Sequence, residues 1–147
     1  MSNDQLSRPV AQIEVNNIGG IDEATVSLRP GVSILAGSNA TNRTSFLQAL
    51  MTGLGSKRSS LKGDADNGSV TIELDGNTYT RTLTRQNGAV TYDGDQYLDD
   101  PEVADLFAFL LESNEARCAV AQGDDLREII MRPIDTDRLE AEIEQCQ

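Results

Sequence analysis

Residues 32–50, VSILAGSNATNRTSFLQAL, constrain this chain more than any other stretch. Val32, Ile34 and Leu35 form a short apolar run with β-branched members, which predicts a buried strand. Gly37 ends that run. Phe46, Leu47 and Leu50 then recur at helical spacing, so a helix is expected from Thr44 onward. Between strand and helix lies GSNATNRT, a near match to G-x-x-x-x-G-K-[ST]. In that pattern backbone N–H groups and a helix N-terminus cradle phosphates, the Lys reaches the outer phosphates, and the hydroxyl meets Mg²⁺. Gly37 fills the first position and Thr44 keeps the hydroxyl. Asn42 stands where the second Gly belongs, and Arg43 replaces the Lys. On these residues alone two readings stay open: a phosphate loop, or a plain strand–turn–helix corner.

Charge narrows the choice less than its size suggests. The 147 residues suffice for one domain or part of a larger one, and 24 acidic side chains against 12 basic ones give a net charge of −12. An acidic balance ordinarily weighs against binding a phosphate backbone. Here Asp is abundant and Lys57 and Lys62 are the only lysines, which points to a halophilic source where salt screens long-range repulsion. Histidine is absent, and Cys118 and Cys146 form no C-x-x-C pair. A His-based catalytic centre and a zinc site within this sequence are thereby excluded. No apolar run approaches membrane-spanning length and no signal peptide opens the sequence, so a cytoplasmic protein without a membrane partner is expected.

The remaining pattern surrounds the loop with recognisable elements. Residues 11–18 alternate around Ile13, Val15 and Ile18, Gly19-Gly20 turns the chain, and Ile21, Ala24, Val26 and Leu28 return it, which predicts a hairpin. After the helix, expected to end near Gly53 to Gly55, a polar loop carries Lys57, Arg58 and Lys62. It reads as a solvated loop or as a local basic spot facing phosphates. Val70, Ile72 and Leu74 alternate, and Asp75-Gly76 and Asn87-Gly88 are hairpin signals, so three strands form an antiparallel meander. Asp99-Asp100-Pro101-Glu102 starts a helix whose apolar face is Val103, Leu106, Phe107, Leu110 and Leu111. Ser113 and Asn114 break the pattern and are expected to cap a further short helix. Asp124 and Asp125 cap one bearing Leu126, Ile129 and Ile130, which Pro133 stops. In the last helix Leu139, Ile143 and Cys146 follow a 4–3 spacing. One heptad leaves a coiled coil and an ordinary amphipathic end both open.

Taken in order, NNIGGID, GSNATNRTSFLQA, SLKGDAD, DLFAFLLESNEAR and QGDDLREIIMRP resemble the archaea-specific SMC-related proteins. More broadly they resemble the N-terminal ATPase half of the SMC superfamily and the SbcC-like repair ATPases. The resemblance runs from about Gln12 to Gln147. It implies an α/β fold: a P-loop NTPase of the ABC/SMC head type, N-terminal lobe only. That lobe joins an antiparallel β meander to a strand–P-loop–helix core, with a coiled coil starting at the C-terminus. The implied division is a flexible tail over residues 1–10, the ATPase lobe over 11–133, and the coiled-coil start over 134–147.

The resemblance also implies ATP and Mg²⁺ as ligands. Gly37, Ser38, Asn39, Ala40, Thr41, Asn42, Arg43, Thr44 and Ser45 would form the nucleotide loop. Thr44 and Gln122 would meet the metal, with Gln122 as the catalytic Q-loop glutamine. A neutral amide can ligate Mg²⁺ or orient water without adding charge. Without the resemblance, Gln122-Gly123 reads as a turn. The implied partners are a C-terminal ATPase lobe, a second head in a head-to-head dimer, DNA and a nuclease.

Three departures qualify hydrolysis. Arg43 substitutes a broad planar fork for a compact ammonium. Asn42 adds a side chain where backbone closeness counts, and Ala40 replaces a Gly common in the family loop. A Walker B Asp-Glu pair, a signature loop and a switch His are not found in this sequence. The expected function is therefore the nucleotide-binding half of an ATPase in double-strand-break repair or chromosome organisation, not competent for hydrolysis alone. The alternatives are a non-hydrolysing head module for chromosome architecture or protein interaction, and an unrelated acidic α+β interaction domain with a chance loop.

Overall fold

Alternating apolar residues build the first hairpin, β1 (Ala11–Ile18) with β2 (Ile21–Leu28), in antiparallel register with Ile13 opposite Val26 and Val15 opposite Ala24. The computed structural model describes residues 10–37, 40–108, 111–134 and 136–145. Expectations placed on residues 1–9, on Ser38 and Asn39, on Leu110, and on Cys146 lie outside that set. Contacts divide the chain into two units, one up to Pro101 and one from Glu102.

In the first unit the expected meander forms as β3 (Asn67–Leu74), β4 (Asn77–Gln86) and β5 (Ala89–Gly94). Its turns place Asp75-Gly76 and Asn87-Gly88 at positive φ, as tight hairpin turns require. Hairpin and meander join in one antiparallel sheet of order β2-β1-β3-β4-β5, with β1 pairing β3. The period of two puts Ile13, Val15, Val70, Ile72 and Leu83 on one face. There they are buried with Phe46 and Ala49 of helix α1 (Ala40–Leu54) and with Leu61. Each of the Val, Ile, Leu and Phe side chains among them contributes roughly 1.5–3 kcal/mol by leaving water.

Two expectations about the central stretch need correction. Val32, Ile34 and Leu35 do not form a buried strand: residues 32–37 have no regular structure, and Val32 and Ile34 are 96% and 88% exposed. A strand needs ladder partners, and every described strand pairs only within the sheet above. Helix α1 also starts at Ala40, four residues earlier than expected. Asn42, unlike the Gly of the standard loop, carries no glycine penalty in a helix (~1 kcal/mol relative to Ala) and keeps a helical φ.

The boundary between the units falls within α2 (Pro101–Val103), which has Pro in the first turn as expected and continues as a π-helical segment, Ala104–Ala108. That wider winding breaks the anticipated apolar stripe. Ala104 and Leu106 are buried, but Val103 and Phe107 are 38% and 51% exposed. Leu111 lies beyond the helix. Asn114 ties the segment to α3 (Glu115–Gln122). Its amide donates to the Asp105 and Leu106 carbonyls at 2.8 and 3.1 Å, while its Oδ1 accepts from the Arg117 N–H. Asp125 caps α4 (Leu126–Met131), and α5 (Thr136–Gln145) follows. Arg132 reaches Glu115 at 2.8 Å and Glu102 at 3.4 Å.

Candidate functional site

The N-terminal end of α1 faces the start of β2 across a groove of about 500 Å³. Its floor and walls are apolar where Ile21, Val26, Leu35 and Phe46 meet. Its rim is polar: Gly37, Asn42 and Arg43 on the loop side, Asp22 and Glu23 on the strand side. Asn42, Arg43 and Thr44 are exposed in the opening turns of α1. No acidic residue stands in that first turn, and Arg43 makes no ion pair with a described residue. A cation at the positive end of a helix is unfavourable by itself and becomes favourable when both face an anion.

A second hollow shares Gly20 with the first and is lined also by Gly19, Thr44, Ser45, Gln48 and Ser60. Here the β1–β2 turn presses against α1. The Gly20 N–H donates to Ser45 Oγ at 3.0 Å, and the Gly19 N–H donates to the Ser60 carbonyl at 2.8 Å. Gly19 has φ +55°, and a Cβ there would fall 2.5 Å from Ser45 Oγ, so both backbone and space require glycine. Lys62 donates to Asp22, and its ammonium lies 3.4 Å from Asp64. The hydrogen bond to Asp22, then that to Asp64, raises the Lys62 pKa above its ordinary 10.5. Asp22 on the groove rim thus stands beside a counter-charge.

The expected nucleotide-loop residues are accordingly distributed. Gly37 is exposed irregular chain, Ala40 and Thr41 begin α1, and Asn42 to Thr44 follow in the helix. Ser45 is buried at 4% exposure. Gln122 ends α3 in the second unit, exposed, with Gly123 closing the helix at φ 77° and donating to the Ala119 and Val120 carbonyls. The turn geometry read from Gln-Gly is therefore present. Lys62 of the basic spot is engaged by carboxylates, and Lys57 and Arg58 are both exposed on the loop.

Sequence reasoning missed what shapes that loop. Thr52, Ser56 and Ser59 are buried; Thr52 Oγ1 donates to the Gln48 carbonyl and bonds Ser59 Oγ, while Tyr92 donates to the Ser59 carbonyl. Hydroxyls at these spacings look like polar loop residues, and only their burial distinguishes them. Arg81 was equally invisible. It is buried at 5% exposure on β4, donating to Gln96 Oε1 at 3.1 Å, with its guanidinium over the Tyr92 ring.

A protein-family model described as an AAA domain matches residues 12–145, and the chain belongs to that family. It is 59% identical over 145 residues to the Smc-like protein Sph3 of Haloferax volcanii, covering 99% of this chain and 22% of that protein. It is 42% identical over 135 residues to the Smc-like protein Sph2 of Halobacterium salinarum, covering 92% of this chain and 20% of the relative. Protein bps2 of Acidianus ambivalens is 31% identical over 121 residues, 78% of this chain and 20% of its own. The chain thus spans about a fifth of the length of these relatives. It is related to archaeal SMC-like proteins and corresponds to an N-terminal ATPase segment. This sets aside the unrelated interaction domain. No helix among the described residues is long and apolar enough to cross a membrane.

Proposed function

We propose that this chain is the nucleotide-binding N-terminal lobe of an SMC-like ATPase head acting in DNA double-strand-break repair or chromosome organisation. The observation that carries the reading is the groove at the start of α1, where Arg43 and the helix N-terminus meet an apolar wall of Ile21, Val26 and Leu35. A triphosphate fits that donor set, since Arg43 and the first N–H groups of α1 offer positive charge where no carboxylate precedes them. Gly37 to Thr44 would hold the phosphates of ATP, and Ile21, Val26 and Leu35 would cover the nucleoside. Thr44 would hold Mg²⁺; Gln122, at the end of α3 in the second unit, is a metal and catalytic candidate on the family resemblance alone. The metal, when bound, supplies charge neutralisation between phosphate oxygens.

The exposed run of Val32, Ile34 and Leu35 supports the need for a complementary C-terminal lobe, because an apolar segment with unpaired backbone is a template for a neighbouring strand. That lobe would supply the hydrolytic residues missing here, and two heads would close around ATP. Lys57 and Arg58 would face DNA, with salt-dependent affinity. The last helix would begin a coiled coil. Protection from proteolysis tests the reading: Mg²⁺–ATP should slow cleavage of the head formed with its complementary lobe. Unchanged cleavage would sink it.

One observation favours the second reading, a head that binds without turnover. Asn42 lies in regular helix and adds a side chain where the standard loop has the Gly that lets backbone N–H groups close on phosphate. Arg43→Lys combined with Asn42→Gly should then raise ATP turnover of the paired head above that of the unmodified one.

A further inference from the structure

Ser45 occupies the last position of the loop, yet its surroundings differ from those of its neighbours. Asn42, Arg43 and Thr44 are exposed, whereas Ser45 is buried and its Oγ accepts the Gly20 N–H at 3.0 Å. Gly20 leads directly into Ile21, Asp22 and Glu23, the strand-side wall of the groove. Ser60 fixes the same turn from its other side through the Gly19 N–H, at 2.8 Å. The absence of a Cβ at Gly19 lets the turn sit directly on Ser45.

We propose that Ser45 is a positioning residue: it holds the Gly19–Gly20 turn on α1, and so sets the distance between the groove wall and the phosphate loop, rather than binding phosphate itself. This rests on the nucleotide reading for its consequence but not for its geometry. A residue that sets the wall governs recognition of the nucleoside. Recognition of phosphate is left to the exposed end of the loop.

Two measurements on the protein separate the roles. Ser45→Ala should speed hydrogen exchange of the Gly20 amide about tenfold, the scale of one lost hydrogen bond. Amides in the interior of α1, at Ala49 and Met51, should keep their rates, and Ser45→Thr should restore protection. Calorimetric titrations with ATP and with inorganic tripolyphosphate should then diverge. Ser45→Ala weakens ATP binding and leaves tripolyphosphate unchanged, while Ser45→Thr recovers ATP. Unchanged Gly20 exchange, or equal weakening of both probes, overturns the proposal. If the unmodified protein binds neither probe, the nucleotide reading fails, and the exchange result alone decides whether Ser45 holds the turn. Should Ser45→Ala also disturb the α1 amides, Gly19→Ala decides, because its methyl displaces the turn while Ser45 stays. Unaltered Gly20 exchange in that variant contradicts the proposal.

Discussion

Lys62 donates to the Asp22 carboxylate, so the loop after α1 is tied to the first residues of β2 at the rim of the groove. The pair is solvent-accessible, with Asp22 78% exposed, and its direct contribution to stability is accordingly small and salt-sensitive. Its larger effect is local. Without the ammonium, Asp22 would present an uncompensated negative charge to any triphosphate on Arg43. Lys62→Met should therefore weaken ATP binding more than adenosine binding, and added salt should narrow the difference. Equal losses for both ligands would refute this role.

The same pair sets a pH dependence. Lys62 gains a proton affinity in the folded state that it lacks unfolded, since its pKa lies above the ordinary 10.5. Its stabilising contribution is complete below that ordinary value and is lost as pH rises through the folded pKa. Thermal melts of the unmodified protein and Lys62→Met should differ at neutral pH in low salt, begin to draw together above about pH 10.5, and converge once pH has passed the raised folded pKa. A difference that persisted there would show that the substitution acts through packing.

The sheet core makes a simpler demand. Leu83 is fully buried between sheet and helix. Leu83→Ala should cost about 2–5 kcal/mol in denaturant unfolding. Val32→Asp, at a 96% exposed site, should change stability by less than about 0.5 kcal/mol while preventing association with a complementary lobe. A large loss of stability from Val32→Asp would mean that residues 32–37 pack in a strand after all.

In the second unit, Asn114 serves two helical segments at once. Asn114→Ala removes the α3 cap and takes a donor from the part-buried Asp105 carbonyl and the buried Leu106 carbonyl. The expected cost is roughly 1–3 kcal/mol, with faster exchange over residues 115–118. Asn114→Asp keeps the capping acceptor but turns a carboxylate oxygen toward the Asp105 and Leu106 carbonyls, so it should be no more stable than Asn114→Ala.

Much of this was legible in the sequence. The alternation of Ile13, Val15, Val70 and Ile72 and the Asp75-Gly76 and Asn87-Gly88 turns specify hairpin and meander, because period-two burial and positive-φ turns are local properties. Asn114, Asp125 and Pro101 mark helix starts for the same reason. What could not be read depends on partners distant in sequence. Val32, Ile34 and Leu35 have the composition of a buried strand, but composition does not supply a neighbour to pair with. The five-residue π segment at Ala104 shifts an apolar stripe that simple 3.6 periodicity places on one face. Ser45, Ser59 and Arg81 gain their roles only when β1, β4 and the loop after α1 meet. Of the candidate site, the sequence singled out the loop positions from Gly37 to Thr44, and the facing wall at Ile21 to Val26 was not visible.

Hydrogen exchange of the protein with and without Mg²⁺–ATP tests the central claim most directly, because it reports where a ligand sits as well as whether it binds. The nucleotide reading predicts slower exchange at the amides of residues 40–44 and of 21–23 across the groove, with the β4–β5 turn at Asn87-Gly88 unaffected. Unchanged exchange at residues 40–44 under saturating Mg²⁺–ATP would contradict it.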